Sequence, residues 1–181
     1  MRKIVANFFL SLDGVMEAPN TWHFPYFNEE MGQAVGEGFA SSDAMLMGRV
    51  NYQEWAAYWP TSTDQPIADI MNNMPKYVVS TTLERADWNN TTLIRGDVAP
   101  AITKLKQSKG KDIAMSGSAK LVEWLLHENL LDELRLLIHP IVVGKGRRLF
   151  SDGMPSAKLE LVRSKPFSNG VIDLTYRLAT S

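Results

Sequence analysis

Apolar residues in this chain fall into two alternating rhythms. Residues 2–10 run almost unbroken through Ile4, Val5, Phe8, Phe9 and Leu10, the pattern of a strand buried on both faces. Over 27–40 the period lengthens: Phe27, Met31, Val35 and Phe39 recur every four residues, with Glu29, Glu30 and Glu37 on other faces, which predicts a helix. Asp43 to Met47 reads as a short strand ending at Gly48-Arg49. A helix carrying Tyr52, Trp55 and Trp59 follows and stops at Pro60. Strands are predicted over 76–80 and 91–95, and a helix over 98–108 with Pro100 in its first turn, where a missing N–H matters little. Asp112 to Met115 is the next strand, leading through Ser116-Gly117-Ser118 into a helix whose apolar face is Leu121, Val122, Leu125 and Leu126.

The last third is different. Residues 133–143 and 158–165 are strand-like, and 171–178 alternate, with Ile172, Leu174, Tyr176 and Leu178 on one side and Asp173, Thr175 and Arg177 on the other. Ser168-Asn169-Gly170 between the last two is a hairpin signal. The order predicts a three-layer α/β domain over residues 1–181. Its sheet is mixed and mostly parallel, closing in an antiparallel C-terminal hairpin.

Composition narrows the function classes. A 45% hydrophobic chain of 181 residues can bury a core without staples. A net charge of −1 does not favour nucleic acid or an anionic membrane. No cysteine is present, so disulfides and thiolate chemistry are excluded. The three histidines, His23, His127 and His139, lack partners at ligand spacing, so no metal site is expected. The apolar run after Met1 is short for an export signal, so a cytoplasmic protein is expected.

Two strand-to-helix junctions could carry chemistry. At Met47-Gly48-Arg49-Val50-Asn51, glycine admits an anion to the backbone, the helix start offers free N–H groups, and Arg49 adds a permanent cationic fork. The plain alternative is a tight turn with a surface arginine. At Ser116-Gly117-Ser118-Ala119-Lys120-Leu121, small residues again precede a helix, and the alternative is an ordinary cap. Two such sites in one sheet suit the separated phosphates of a dinucleotide, although the Rossmann glycine fingerprint is missing. Ser11-Leu12-Asp13-Gly14 closes the first strand, either as a turn or as a polar loop at a pocket mouth.

These motifs together resemble the dihydrofolate-reductase-like superfamily. The resemblance rests on Ser11 to Gly14, on Asp43 to Arg49 with Tyr52, on Ser116 to Ser118 with Leu121, and on His139 to Phe150. It is closest to the branch of the reductase domain of bacterial riboflavin biosynthesis. It implies an NADPH-dependent reductase of this fold acting on a small heterocyclic, carbonyl or imine substrate. Gly48, Arg49, Val50 and Asn51, with Met47 before them, would follow the adenosine-side phosphates. Ser80, Thr81 and Thr82 would lie near the 2′-phosphate, and Ser116 to Leu121 would wrap the pyrophosphate. Phe9, Ser11 and Gly14 would sit by the nicotinamide. Trp22, Phe24 and Tyr52 are the expected substrate contacts, and Asp13 or Glu29 the expected proton source. A homodimer is expected. The rival readings are a module that binds NADP(H) without turnover, or a structural domain using the fold alone.

Overall fold

The opening apolar run is a strand, β1 (Ile4–Ser11), in the interior of an eight-stranded sheet. The computed structural model describes residues 1–179. After β1 come α1 (Glu29–Ser41), β2 (Ser42–Gly48), α2 (Arg49–Tyr58), α3 (Ile67–Asn73), β3 (Lys76–Val79), β4 (Thr91–Ile94) and α4 (Val98–Gln107). The chain continues through β5 (Asp112–Ser116), α5 (Ala119–His127), β6 (Glu133–His139), β7 (Leu159–Pro166) and β8 (Ile172–Leu178). Strand order is β4-β3-β2-β5-β1-β6-β8-β7. Pairing is parallel from β4 to β6 and antiparallel where β8 joins β6 and β7, so the mixed sheet with a C-terminal ribbon is as the sequence predicts.

Alternation along β1 divides the core. Ile4, Ala6, Phe8 and Leu10 face one way, packing with Ile102 and Leu105 of α4 and Val122, Leu125 and Leu126 of α5. On the opposite face Phe9 packs with Leu137 against Met31 of α1. Met45, Met47 and Val78 there meet Tyr52 of α2 and Met71 of α3. Helices thus cover both faces, which lets the central strands be apolar throughout. No helix among the described residues is long and apolar enough to cross a membrane.

Several boundaries differ from the sequence reading for local reasons. α1 starts at Glu29, because the Asn28 side chain accepts the Met31 N–H and caps the helix, leaving Phe27 outside it. β6 stops at His139 rather than 143, since Pro140 has no N–H for the ladder. α3 was not expected; seven residues give too little periodicity to register. Along β8 the polar side is the more buried one: Asp173 and Thr175 are 4% and 5% exposed, whereas Ile172 is 40% exposed.

Candidate functional site

β2 and β5 are parallel neighbours, so their C-terminal turns emerge side by side at one end of the strands. The two turns are also joined directly, since the Gly48 N–H donates to Ser118 Oγ at 2.9 Å. Committed to Gly48, the Ser118 hydroxyl does not cap its own helix, and α2 also begins without a side-chain cap. Both helix starts therefore present N–H groups that have no side-chain acceptor. Gly117 (φ 75°) and Ser118 (φ 60°) both have positive φ, and the step from left-handed Ser118 into helical Ala119 turns successive amides toward one concavity, a nest. A Cβ on Gly117 would overlap the Asn51 side-chain amide. The Asn51 Nδ2 is itself buried with no hydrogen-bond partner.

The turns form one wall of a cleft of about 1220 Å³. Of the residues expected to bind cofactor, Phe9, Gly48, Arg49, Val50, Asn51 and the run Ser116, Gly117, Ser118, Ala119, Lys120, Leu121 line it, as does Phe24. Arg49 and Lys120 have no carboxylate partner among the described residues; Arg49 contacts only the neutral Gln53 at 2.9 Å.

The opposite wall is a strap, residues 140–152, a stretch to which the sequence analysis gave no binding role. It contributes Arg147, Arg148 and Phe150 to the cleft. Carboxylates from elsewhere hold it down. Asp13 accepts the Val143 and Gly144 N–H groups at 3.0 and 2.9 Å. Glu17 accepts the Arg147 N–H at 3.1 Å and its Nε at 2.8 Å. Glu123 on α5 accepts both the Ser151 N–H and hydroxyl.

The remaining expected residues stand elsewhere. The Ser11 hydroxyl and the two strap amides hold the Asp13 carboxyl down to about 2, so at neutral pH it is ionised and serves as a latch rather than a proton source. Ser11 and Gly14 belong to that latched turn. Glu29 is exposed at the start of α1, away from the cleft. Met47 is fully buried beneath the Gly48 turn. Ser80 is buried and accepts the Thr82 and Leu83 N–H groups, Thr81 and Thr82 are exposed, and none of the three is among the residues that line the cleft. Tyr52 points into the core, where its hydroxyl accepts the Trp88 N–H. Trp22 is buried edge-on to His139, its indole N–H on the Glu17 carbonyl.

A second, smaller space of about 160 Å³ adjoins the cleft, and the two share Phe8, Phe9, Trp55 and Ser116 in their walls. It lies between α1 and the sheet. Besides the shared Ser116, its polar lining is Asn7 of β1, Glu37 of α1, Arg135 of β6, Arg163 of β7 and Asp173 of β8. Sequence reasoning missed all five. The one visible signal was Asn7, a polar interruption on a strand otherwise apolar enough to be central.

The model of the RibD C-terminal domain family matches residues 2–172. The uncharacterized protein YyaP of Bacillus subtilis (strain 168) is 31% identical over 182 residues, spanning 97% of this chain and 94% of YyaP. A solved structure of a candidate riboflavin biosynthesis protein from Shewanella sp. PV-4 superposes with a TM-score of 0.77 at 20% identity, over 98% of this chain and 99% of that one. Dihydrofolate reductase from Enterococcus faecalis, solved with NADP(H), gives 0.64 at 14% identity, over 98% and 97%. These likenesses establish the shared fold. The chain belongs to the RibD C-terminal domain family, built on the dihydrofolate-reductase-like fold.

Proposed function

We propose that the protein is an NADPH-dependent reductase that holds the dinucleotide in the large cleft and its substrate in the adjoining compartment. The observation that carries this reading is the convergence of two uncapped helix starts on one cleft, with the Asn51 Nδ2 buried there and unpartnered. That donor set fits a diphosphate. The amides opening α2 and α5, with Asn51, would hold the phosphates, and Gly117 leaves the room a side chain would fill. Arg49 and Lys120, free of carboxylates, favour the cofactor with the additional phosphate. NADPH, when bound, supplies a hydride from its nicotinamide. The chain contributes position and a partly apolar cleft, in which Phe9, Phe24 and Phe150 limit water.

Trp55 and Trp59 line the cleft, so quenching of intrinsic fluorescence reports binding. NADPH is expected to bind at least tenfold more tightly than NADH. Arg49→Ala should narrow that gap, and Gly117→Ala should weaken both cofactors by more than tenfold. No quenching by millimolar amounts of either nucleotide would sink the proposal.

A further inference from the structure

Residues 18–27, between β1 and α1, carry Ala18, Pro19, Asn20 and Phe24 into the cleft wall. Ala18 opens this segment in the left-handed region (φ 44°), which a Cβ disfavours, so closure depends on the packing that follows. Two buried histidines supply much of it. His23 packs on Phe9, nearly parallel with ring centres 4.6 Å apart, and on Phe24 at 4.3 Å, and both phenylalanines line the cleft. His139, at the end of β6, meets Phe9, Trp22, His23 and Tyr26 edge-on, with ring centres between 5.2 and 6.1 Å away.

This packing suits neutral imidazoles only. An imidazolium needs acceptors for both ring nitrogens. His139 Nδ1 has the Leu10 and Leu137 carbonyls, but His139 Nε2 and His23 Nδ1 are buried with no hydrogen-bond partner among the described residues. No anion stands by to offset the charge. Asp13, after β1, is held by Ser11, Val143 and Gly144, with Arg148 nearby, and Glu17 is held by Arg147. Glu30 of α1 is on Ser168, and Glu29 is exposed. Asp173 of β8 pairs with Arg163 of β7, Glu133 of β6 with Arg135 and Lys3, and Lys165 of β7 lies over Phe167. The Tyr26 hydroxyl turns to the Pro140 carbonyl at 3.5 Å. Burial accordingly keeps both histidines below the ordinary 6.5, and a charge on His139 lowers His23 further.

We propose that His23 and His139 form a proton-operated latch: neutral, they hold residues 18–27 against the cleft, and protonation releases the segment and opens the wall. Once the segment lifts, water reaches the imidazoles and their ordinary proton affinity returns. The closed form is favoured above pH 6.5 and is lost as pH falls below it, by up to about tenfold per histidine between pH 6.5 and 5.5. The consequence for cofactor rests on the reductase reading; the latch does not.

The test is hydrogen exchange at pH 7.5 and 5.5, with rates corrected for intrinsic pH dependence. The Trp22, His23, Tyr26 and Phe27 amides donate within the segment and report its closure. Their protection should fall at least tenfold at the lower pH while that of β1 and β5 holds. In His23→Phe, which keeps a ring on Phe9 without a titratable nitrogen, the fall should be no more than a third as large. In the wild type, ring ¹⁵N shifts should show His23 and His139 taking up protons in step with the loss of protection, at lower pH than the exposed His127. Protonation of either ring with protection of 18–27 unchanged, or an equal fall in His23→Phe, would overturn the latch. Quenching by NADP⁺ should lose at least threefold more affinity over the same interval in the wild type than in His23→Phe, a comparison that cancels titration of the nucleotide itself. Equal losses would overturn the latch's hold on the cleft. Absence of NADP⁺ binding at both pH values, with protection still responding, would overturn the cofactor reading alone.

Discussion

Single buried polar residues set much of the local geometry. Lys76 is 0% exposed, with Nζ donating to the carbonyls of Asn72, Met74 and Asn89 at 3.2, 2.8 and 2.9 Å and lying 4.2 Å from the Trp88 ring centre. It ties the end of α3 to the loop before β4. Lys76→Met keeps the bulk but strands three carbonyls, and should lower stability by about 3 kcal/mol in urea titrations. Burial pushes the Lys76 ammonium down to about 8 from its usual 10.5. Between those values the unfolded chain holds the extra proton, so stability from this group rises with pH across that window and the methionine variant lacks the rise. His139 works at the other end of the scale. Its Nδ1–H is shared by the Leu137 and Leu10 carbonyls at 2.9 and 3.2 Å, and its Nε2 is left without a partner among the rings of Phe9, Trp22, His23 and Tyr26. Burial holds both His139 and His23 below the ordinary 6.5, so both are neutral in the fold. The stability they allow is whole above pH 6.5 and declines as pH falls below it, because the unfolded histidines then take up protons first. Melting temperatures between pH 7.5 and 5.5 should fall in the wild type and fall less in a His23→Phe, His139→Phe pair. The depressed carboxylates Asp13, Glu17 and Glu30 act separately, below about pH 4.5.

Among the elements, the strap is where the sequence was least readable. Asp13-Gly14 is visible as a turn, but the amides its carboxylate accepts lie 130 and 131 residues away. A local pattern does not carry so distant a partner. Asp13→Ala should free the 140–152 strap without unfolding the sheet. Trypsin should then cut at Lys145, Arg147 or Arg148 several-fold faster, and NADPH affinity should fall as the cleft loses a wall. α1 gives a similar case. Of its paired acids, Glu29 is exposed in the first turn of the helix. Glu30 reaches across to accept the Ser168 N–H and hydroxyl at 2.7 and 2.6 Å, fastening the β7–β8 turn to the helix. The α1 carboxylate that lines the smaller compartment is Glu37, two turns further on, which no motif singles out.

For the molecule as a whole, the cleft is assembled from five separated stretches: Phe8 and Phe9 of β1, residues 16–24, α2 with its flanking turns, the start of α5 with the turn before it, and the strap. A ligand that bridges them binds only the assembled fold. NADPH at a hundredfold excess over its Kd should therefore raise unfolding free energy by about 2.7 kcal/mol, read as a shift in urea midpoint at constant slope. Strand order follows from the same global accounting. The parallel core was legible because strands and helices alternate, which leaves few ways to connect them. The antiparallel ribbon was legible from Ser168-Asn169-Gly170.

What the sequence determined by itself was everything that depends on near neighbours: the strands and most helices, the ribbon, and the two amide-rich turns after Met47 and Met115. Periodicity, proline and glycine act over a few residues, so their consequences are written locally. Tertiary structure decided which of these features share a space. Only the parallel pairing of β2 with β5 brings both turns to one cleft. Only the closure of α1, β6, β7 and β8 around β1 turns Asn7, Glu37, Arg135, Arg163 and Asp173 into a single lining. The polarity of each of those residues is legible alone, but its neighbours, and so its chemistry, exist only once the sheet has closed.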